Sequence, residues 1–430
     1  TPIALPRDWS DVLPACARSP RLMAVAAAVL LLSSCVGPAA GDASGPAPST
    51  TSRSTSSTSH PSAPPAPRAA RAAVAVNIYA GTRPGNLSVI TKQARNLVYV
   101  PNTVSNTVQV IDPRTYTVTA TYPTGREPQH VVPSWDMKTL WVNDDRGNDL
   151  VPIDPRTGRP GRPVHVEDPY NLYFTPDGAH ALVMAERMRR IDVRNPRTMA
   201  LEHSLPVPCH GVNHADYSAD LSFFVASCEF SGKLLVVDRD ATKLIKVIDL
   251  SGVRTRGTGS TGMASRTGPR ASLMPGASAM PQDVRLTPDG TRFLVADMLR
   301  NGIWVVCASN LRVERFIPTG KGAHGIYPDR AGRRIFVSNR DEGSISVLDA
   351  SSLVITATWR IPGAGSPDMG GVSTDGSKLW LSGRYNSEVY VLDTGTGRLL
   401  RRIKVNAGPH GLLVWPQPGN FSLGHTGNMR

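Results

Sequence analysis

Four histidines stand in similar local settings along this chain of 430 residues. Each follows a turn and leads into a short apolar run: His130-Val131-Val132, His210-Gly211-Val212, His324-Gly325-Ile326 and His410-Gly411-Leu412. His214 lies four residues beyond His210, on the same side of an extended strand. Corresponding places elsewhere hold Asn171, Asp283 and Asp368 or Met369. Imidazole and carboxylate groups suit zinc, copper or iron, and imidazole is also a haem axial ligand. Two other readings stay open for the same residues. They can hydrogen-bond neighbouring loops at a tight turn, or they can recognise a small ligand directly.

Cysteines form a second group. A turn at Ser218-Ala219 sets Cys209 opposite Cys228 across one hairpin. A disulfide there stabilises by about 3 kcal/mol, and a copper site of Cys209, Cys228, His210 and His214 is the alternative. Cys307 ends an apolar strand and is expected as a buried free thiol. No nucleophile elbow, phosphate loop, dinucleotide fingerprint or zinc-protease helix accompanies these residues, and no Cys-x-x-Cys-His stands ready for covalent haem. A binding role is therefore expected ahead of catalysis.

The elements that must position them recur about every 40 residues from residue 74. Second strands begin near Asn96, Thr139, Ala181, Ser222, Arg292, Arg334 and Lys378. Third strands read VQVID (108–112), LVPID (150–154), MRRID (188–192), LLVVD (234–238), IWVVC (303–307), ISVLD (345–349) and VYVLD (389–393). The runs are short, rich in β-branched residues and bounded by turns such as Asp112-Pro113-Arg114-Thr115 and Thr175-Pro176-Asp177-Gly178. Pro presets φ there, Asp bonds its own backbone and Gly takes positive φ. Seven such units predict an all-β chain: a seven-bladed β-propeller with four-stranded antiparallel blades, spanning 74–417. Each innermost strand starts on one face, the top, and its hairpin to the second strand lies on the bottom. The candidate site residues then ring the top mouth of the central channel. The strand near Gly411–Trp415 is expected to complete the first blade, with residues 74–90 at the seam. An inserted loop at 251–280, rich in Arg, Gly and Ser, falls on the top face; it is expected as a disordered loop of no consequence, with a lid over an anionic ligand as the alternative. The tail, 418–430, is expected to fray or to fold over the top.

Residues 22–32 form an unbroken apolar run after Arg18 and Arg21, and Leu32-Ser33-Ser34-Cys35 follows. That layout is a secretory signal, too short to cross a bilayer comfortably. Its end resembles a bacterial lipobox, which implies lipidation of Cys35 and a cell-surface lipoprotein. Residues 1–35 are thus a signal region and 36–73, rich in Ser, Thr, Pro and Ala, a disordered tether. The net charge of +13 is scattered, with no basic run interleaved with aromatics, so no specific nucleic acid is expected.

Val98-Tyr99-Val100-Pro101-Asn102 with Val110-Ile111-Asp112, and Phe336-Val337-Ser338-Asn339 with Ile345–Asp349, resemble the signature of YVTN-type propeller repeats. The superfamily includes the haem propeller of cytochrome nitrite reductases and propellers of some quinoprotein dehydrogenases. The resemblance covers about 74–417 and implies the fold. The leading functional expectation is a membrane-tethered, monomeric module whose top face binds a protein or small ligand. A haem- or metal-binding redox protein is one alternative, and a metal-dependent hydrolase or lactonase another.

Overall fold

The computed structural model describes residues 77–253 and 278–430. The signal, lipidation and tether expectations, and most of the inserted loop, fall outside those residues. Seven antiparallel sheets are arranged in chain order as blades 1 to 7. Their innermost strands are Leu413–Trp415, Pro128–Pro133, Asn171–Phe174, Val212–Tyr217, Pro281–Leu286, Ala323–Pro328 and Pro367–Val372. Burial follows position. The innermost strand Pro128–Pro133 is buried at every residue, whereas the outer strand Ile355–Arg360 alternates between half-buried and exposed. Period-two alternation thus survives only at the rim, where one side of the pleat meets water.

Ring closure takes the expected form. Leu413–Trp415 pairs antiparallel with Leu97–Tyr99, so blade 1 is built from both ends of the propeller sequence. The backbone N–H of Val131 also donates to Gly411 at 3.1 Å, tying the closing strand to blade 2. The chain leading into blade 1 straps the bottom face: Ile78 N–H donates to Pro288 and Leu87 bridges Gly419.

Four details differ from the sequence expectations. Blade 2 has five strands, because its outer strand is split into Arg159–Pro160 and Val164–His165. Pro160 and Pro163 supply no N–H to the ladder there. In blade 3 the third strand is Arg190–Arg194, two residues later than MRRID suggests. Asp192 is buried in mid-strand between Arg190 and Arg194. The turn is made instead by Asn195, whose side chain accepts from Arg197 N–H just as Asp112 accepts from Arg114. Cys307 is disulfide-bonded and not a free thiol.

Cys209 and Cys228 are joined by a disulfide, with Cα atoms 6.1 Å apart. They are not direct cross-strand partners: Cys228 faces Val212, and the register shifts before Ala215–Ala226. The shift lets Cys209 reach from the turn preceding the strand.

Trp415 is fully buried at the seam among Leu97, Tyr99 and Val131. Trp415→Ala should therefore cost about 3–5 kcal/mol, read from urea denaturation. A loss below about 1 kcal/mol would show that the seam does not hold the ring.

Candidate functional site

Five imidazoles meet inside the channel. His130 comes from blade 2, His214 from blade 4, His324 from blade 6, His410 from the turn before the closing strand, and His425 from beyond it. Their exposures are 2 % or less. Ring centroids lie 4.9 Å apart for His130–His410, 5.2 Å for His130–His425, 5.1 Å for His214–His425 and 5.8 Å for His324–His410. A candidate ligand atom on each of His130, His214 and His425 falls within 4.8 Å of the others.

His425 was not among the expected site residues; the tail that carries it was expected to fray or to fold over the top. After the closing strand the chain leaves the ring at the bottom, and residues 420–430 turn back upward as a hairpin. Leu423 N–H donates to Asn428 at 2.8 Å and Arg430 N–H donates to Phe421 at 3.1 Å. The outer walls are bonded to the blades, Phe174 N–H to Leu423 and His425 N–H to Leu172. Asn428 and Arg430 donate to Asp216 at 2.8 and 2.7 Å. The tip places Gly424 at φ +105° against the backbone of Leu172 and Tyr173, which leaves no space for a side chain. The segment therefore neither frays nor covers the top face. It plugs the channel from below.

His210 is the other correction. It lies two residues before the strand Val212–Tyr217, is exposed, and takes no part in the cluster. His214 occupies the inward place. A sequence signal was available: in five blades a Ser or Thr bonding an Asp two residues on opens the bottom hairpin, as in Ser134–Asp136, Ser218–Asp220 and Thr287–Asp289. Counting four residues back from it gives His130, His214 and Asp283. Asn171 and Met369 fall at the same offset from Thr175 and Ser373. Asp368 and His324 stand one step earlier and are also fully buried.

Hydrogen bonds divide the five rings into two sets. His410 Nδ1 is 2.7 Å and His324 Nδ1 3.1 Å from the carboxylate of Asp368, which Arg340 also grips. Burial alone would raise Asp368, but Arg340 and the two imidazoles hold its carboxyl well below the usual range. In the other set each ring is held at Nδ1 only. His130 Nδ1 lies 2.9 Å from the carbonyl of Tyr170 and His214 Nδ1 3.0 Å from Asn213 Oδ1. Both contacts place the proton on Nδ1 and leave Nε2 with a free lone pair. The Nε2 atoms of His130, His214 and His425 are buried with no hydrogen-bond partner. His425 Nδ1 is 3.0 Å from the Asn171 amide nitrogen and its Nε2 3.8 Å from Asp283 Oδ1. Ligation through that Nε2 would need the proton on Nδ1 and a rotated Asn171 amide, at the loss of the Leu172 N–H bond to Asn171 Oδ1.

Three neutral imidazoles form a donor set for a borderline cation such as Zn2+ or Cu2+, with a coordination position left over. A haem does not fit. The hairpin fills the axis, and the rings of His130, His214 and His425 pack too closely to admit a macrocycle.

The fold and this site define a seven-bladed propeller whose channel is lined by histidine and plugged by its own chain. The chain belongs to the YNCE-like beta-propeller family, whose model matches residues 69–196 and 273–418. No curated protein matches it. Among solved structures it is similar to a functionally unknown protein from Desulfotomaculum acetoxidans, with TM-score 0.55, 16% identity, and 73% and 98% of the two chains covered. Hydrazine synthase of Kuenenia stuttgartiensis matches with TM-score 0.55, 16% identity, and 74% and 97% coverage. The dihydro-heme d1 dehydrogenase NirN matches with TM-score 0.52, 15% identity, and 77% of each chain covered. At such identities the likeness is one of fold.

Burial, aided by neighbouring imidazoles and arginines, holds all five histidines below their ordinary value, His410 at about 4. An unfolded chain takes up these protons below about 6.5 and the folded one does not. These groups thus lower stability as pH falls from there toward 4. The measurement is a pH titration of the histidine Cε1–H NMR signals in metal-free protein. The five should stay neutral from pH 8 to pH 5, and a midpoint near 6.5 for any of them would contradict the buried cluster.

Proposed function

We propose that this protein is an exported, lipid-anchored binding module whose ligand is one divalent zinc or copper ion, held in the channel by His130, His214 and His425. One observation carries the reading: a ring nitrogen on each of three buried imidazoles lies within 4.8 Å of the others, and all three rings have an Nε2 without a hydrogen-bond partner. An unpartnered buried nitrogen costs about 1–3 kcal/mol, and a shared cation offsets all three at once. The outer contacts have the form seen around metal-bound imidazole, with Nδ1 of His130 and His214 oriented by a carbonyl and an amide oxygen. His324, His410 and Asp368 form a second layer above them. Export and the anchor at Cys35 rest on the signal-like sequence alone.

The propeller and the hairpin share the ion, so the hairpin belongs to the site. Metal-stripped protein titrated with Zn2+ and with Cu2+ should bind one ion per chain. His130→Ala, His214→Ala and His425→Ala should each weaken binding by more than about 100-fold, since outer partners alone are worth about 10–100-fold. Gly424→Ala removes no ligand but obstructs the hairpin tip, and it should weaken binding as His425→Ala does. Failure of the native protein to retain either ion through gel filtration would end this reading.

A further inference from the structure

On the bottom face a cleft opens between the hairpin and blades 5 to 7, with Thr426 of the hairpin in its lining. Arg285, from the innermost strand of blade 5, and Arg330, from the bottom hairpin of blade 6, form its walls. Arg330 Nε donates to the Ser373 carbonyl at 3.1 Å, and one Nη donates to the Val372 carbonyl at 2.6 Å and to Gln417 Oε1. Every one of those acceptors is neutral. Among the described residues no carboxylate comes within ion-pair distance of Arg330. Asp375 attracts it, but that carboxylate is bonded to Ser373 and Ser377. Burial pushes the Arg330 guanidinium down to about 10.

Arg285 is 6 % exposed, with Nη2 3.5 Å from Asp283 and a buried Nε that has no acceptor. Among the described residues the only acid in the cleft lining is Asp329. It is turned away, accepting from Arg333 N–H at 2.8 Å and pairing with Arg334 at 3.1 Å. Two guanidinium groups therefore share one cavity with one spare donor and an excess of positive charge. A buried cation without a counter-ion is costly, and a guanidinium presents a planar fork that matches an oxyanion.

The geometry points to an oxyanion site: the Arg285 and Arg330 cleft binds a small molecule through a carboxylate or phosphate group. The site uses none of the histidines and does not rest on the metal reading.

The test uses the full chain, stripped of metal, at constant ionic strength with chloride as background. Inorganic phosphate and succinate are titrated separately by calorimetry, so that the two oxyanion chemistries are told apart. Saturable binding of one ion per chain by either probe is the expected result. Arg330→Gln should weaken it by about tenfold or more, as loss of a charge-assisted bond predicts, and Arg330→Lys should retain part of it. If Arg330→Gln does not fold, Arg285→Lys takes its place with the same expected weakening. No saturable binding of either probe to the native protein overturns the proposal. Equal affinity in the native protein and the folded variant overturns it as well. Metal titration of the same samples is a separate readout, so either reading can fail alone.

Discussion

Everything distinctive about this propeller follows from how the ring is closed. The chain begins blade 1 with its second strand, at Leu97, and leaves the place nearest the axis open. Leu413–Trp415 fills that place from the far end of the sequence. The closing strand must run antiparallel to Leu97–Tyr99, so it travels from top to bottom and delivers the remaining chain beneath the channel. There the buried carboxylate of Asp216 waits for Asn428 and Arg430. Backbone groups of the innermost strand in blade 3 await Leu423 and His425. The hairpin satisfies polar groups that an open channel would leave to water, and His425 arrives at the centre as a consequence.

The cluster costs the fold stability. Hydrophobic seams between blades, such as the one around Trp415 and the one around Trp304 and Phe293, are fully buried and continuous. They can carry the expense of three imidazole nitrogens that bond to nothing. A core selected for stability alone would put apolar side chains at those positions. Asp368 shows the contrasting solution: Arg340, His324 and His410 surround its carboxylate, so the negative charge is compensated where it is buried. One part of the channel is thus electrostatically closed, and the part facing His425 is not.

Much of this was legible in the sequence, and the misses have physical causes. Strand positions were readable because the runs are short and their turns are marked by Asp, Pro and Gly acting locally. Blade 3 misled because Ile191-Asp192 imitates the strand-ending Ile-Asp of other blades, while the residue that caps the turn is Asn195. His210 misled in the same way, since His-Gly recurs before strands for reasons of turn geometry. The hairpin Ser or Thr is a sounder anchor, because its bond to the following Asp fixes where the innermost strand ends. The cysteine pair was identified from a register that does not hold, and the irregularity between Val212 and Ala215 brings the two together regardless. Nothing local could place His425. Its position depends on ring closure, a contact between residues more than 300 apart in sequence.

The two proposed sites share a feature that the repeats themselves lack. Most positions inside a blade pack against the neighbouring blade, and their side chains are set by volume and by the pleat. The strap before Leu97 and the hairpin after Trp415 lie outside that repeat and carry no such duty. They supply His425 to the histidine cluster, and Tyr79, Thr82, Thr426 and Asn428 to the lining of the arginine cleft. A propeller built of near-equivalent blades has a symmetric axis with little to distinguish one ligand from another. Two non-repeating segments, one across the bottom face and one along the axis, break that symmetry. They turn part of a generic channel into places where particular groups converge, which explains how a fold that is nearly silent about activity can still specify chemistry.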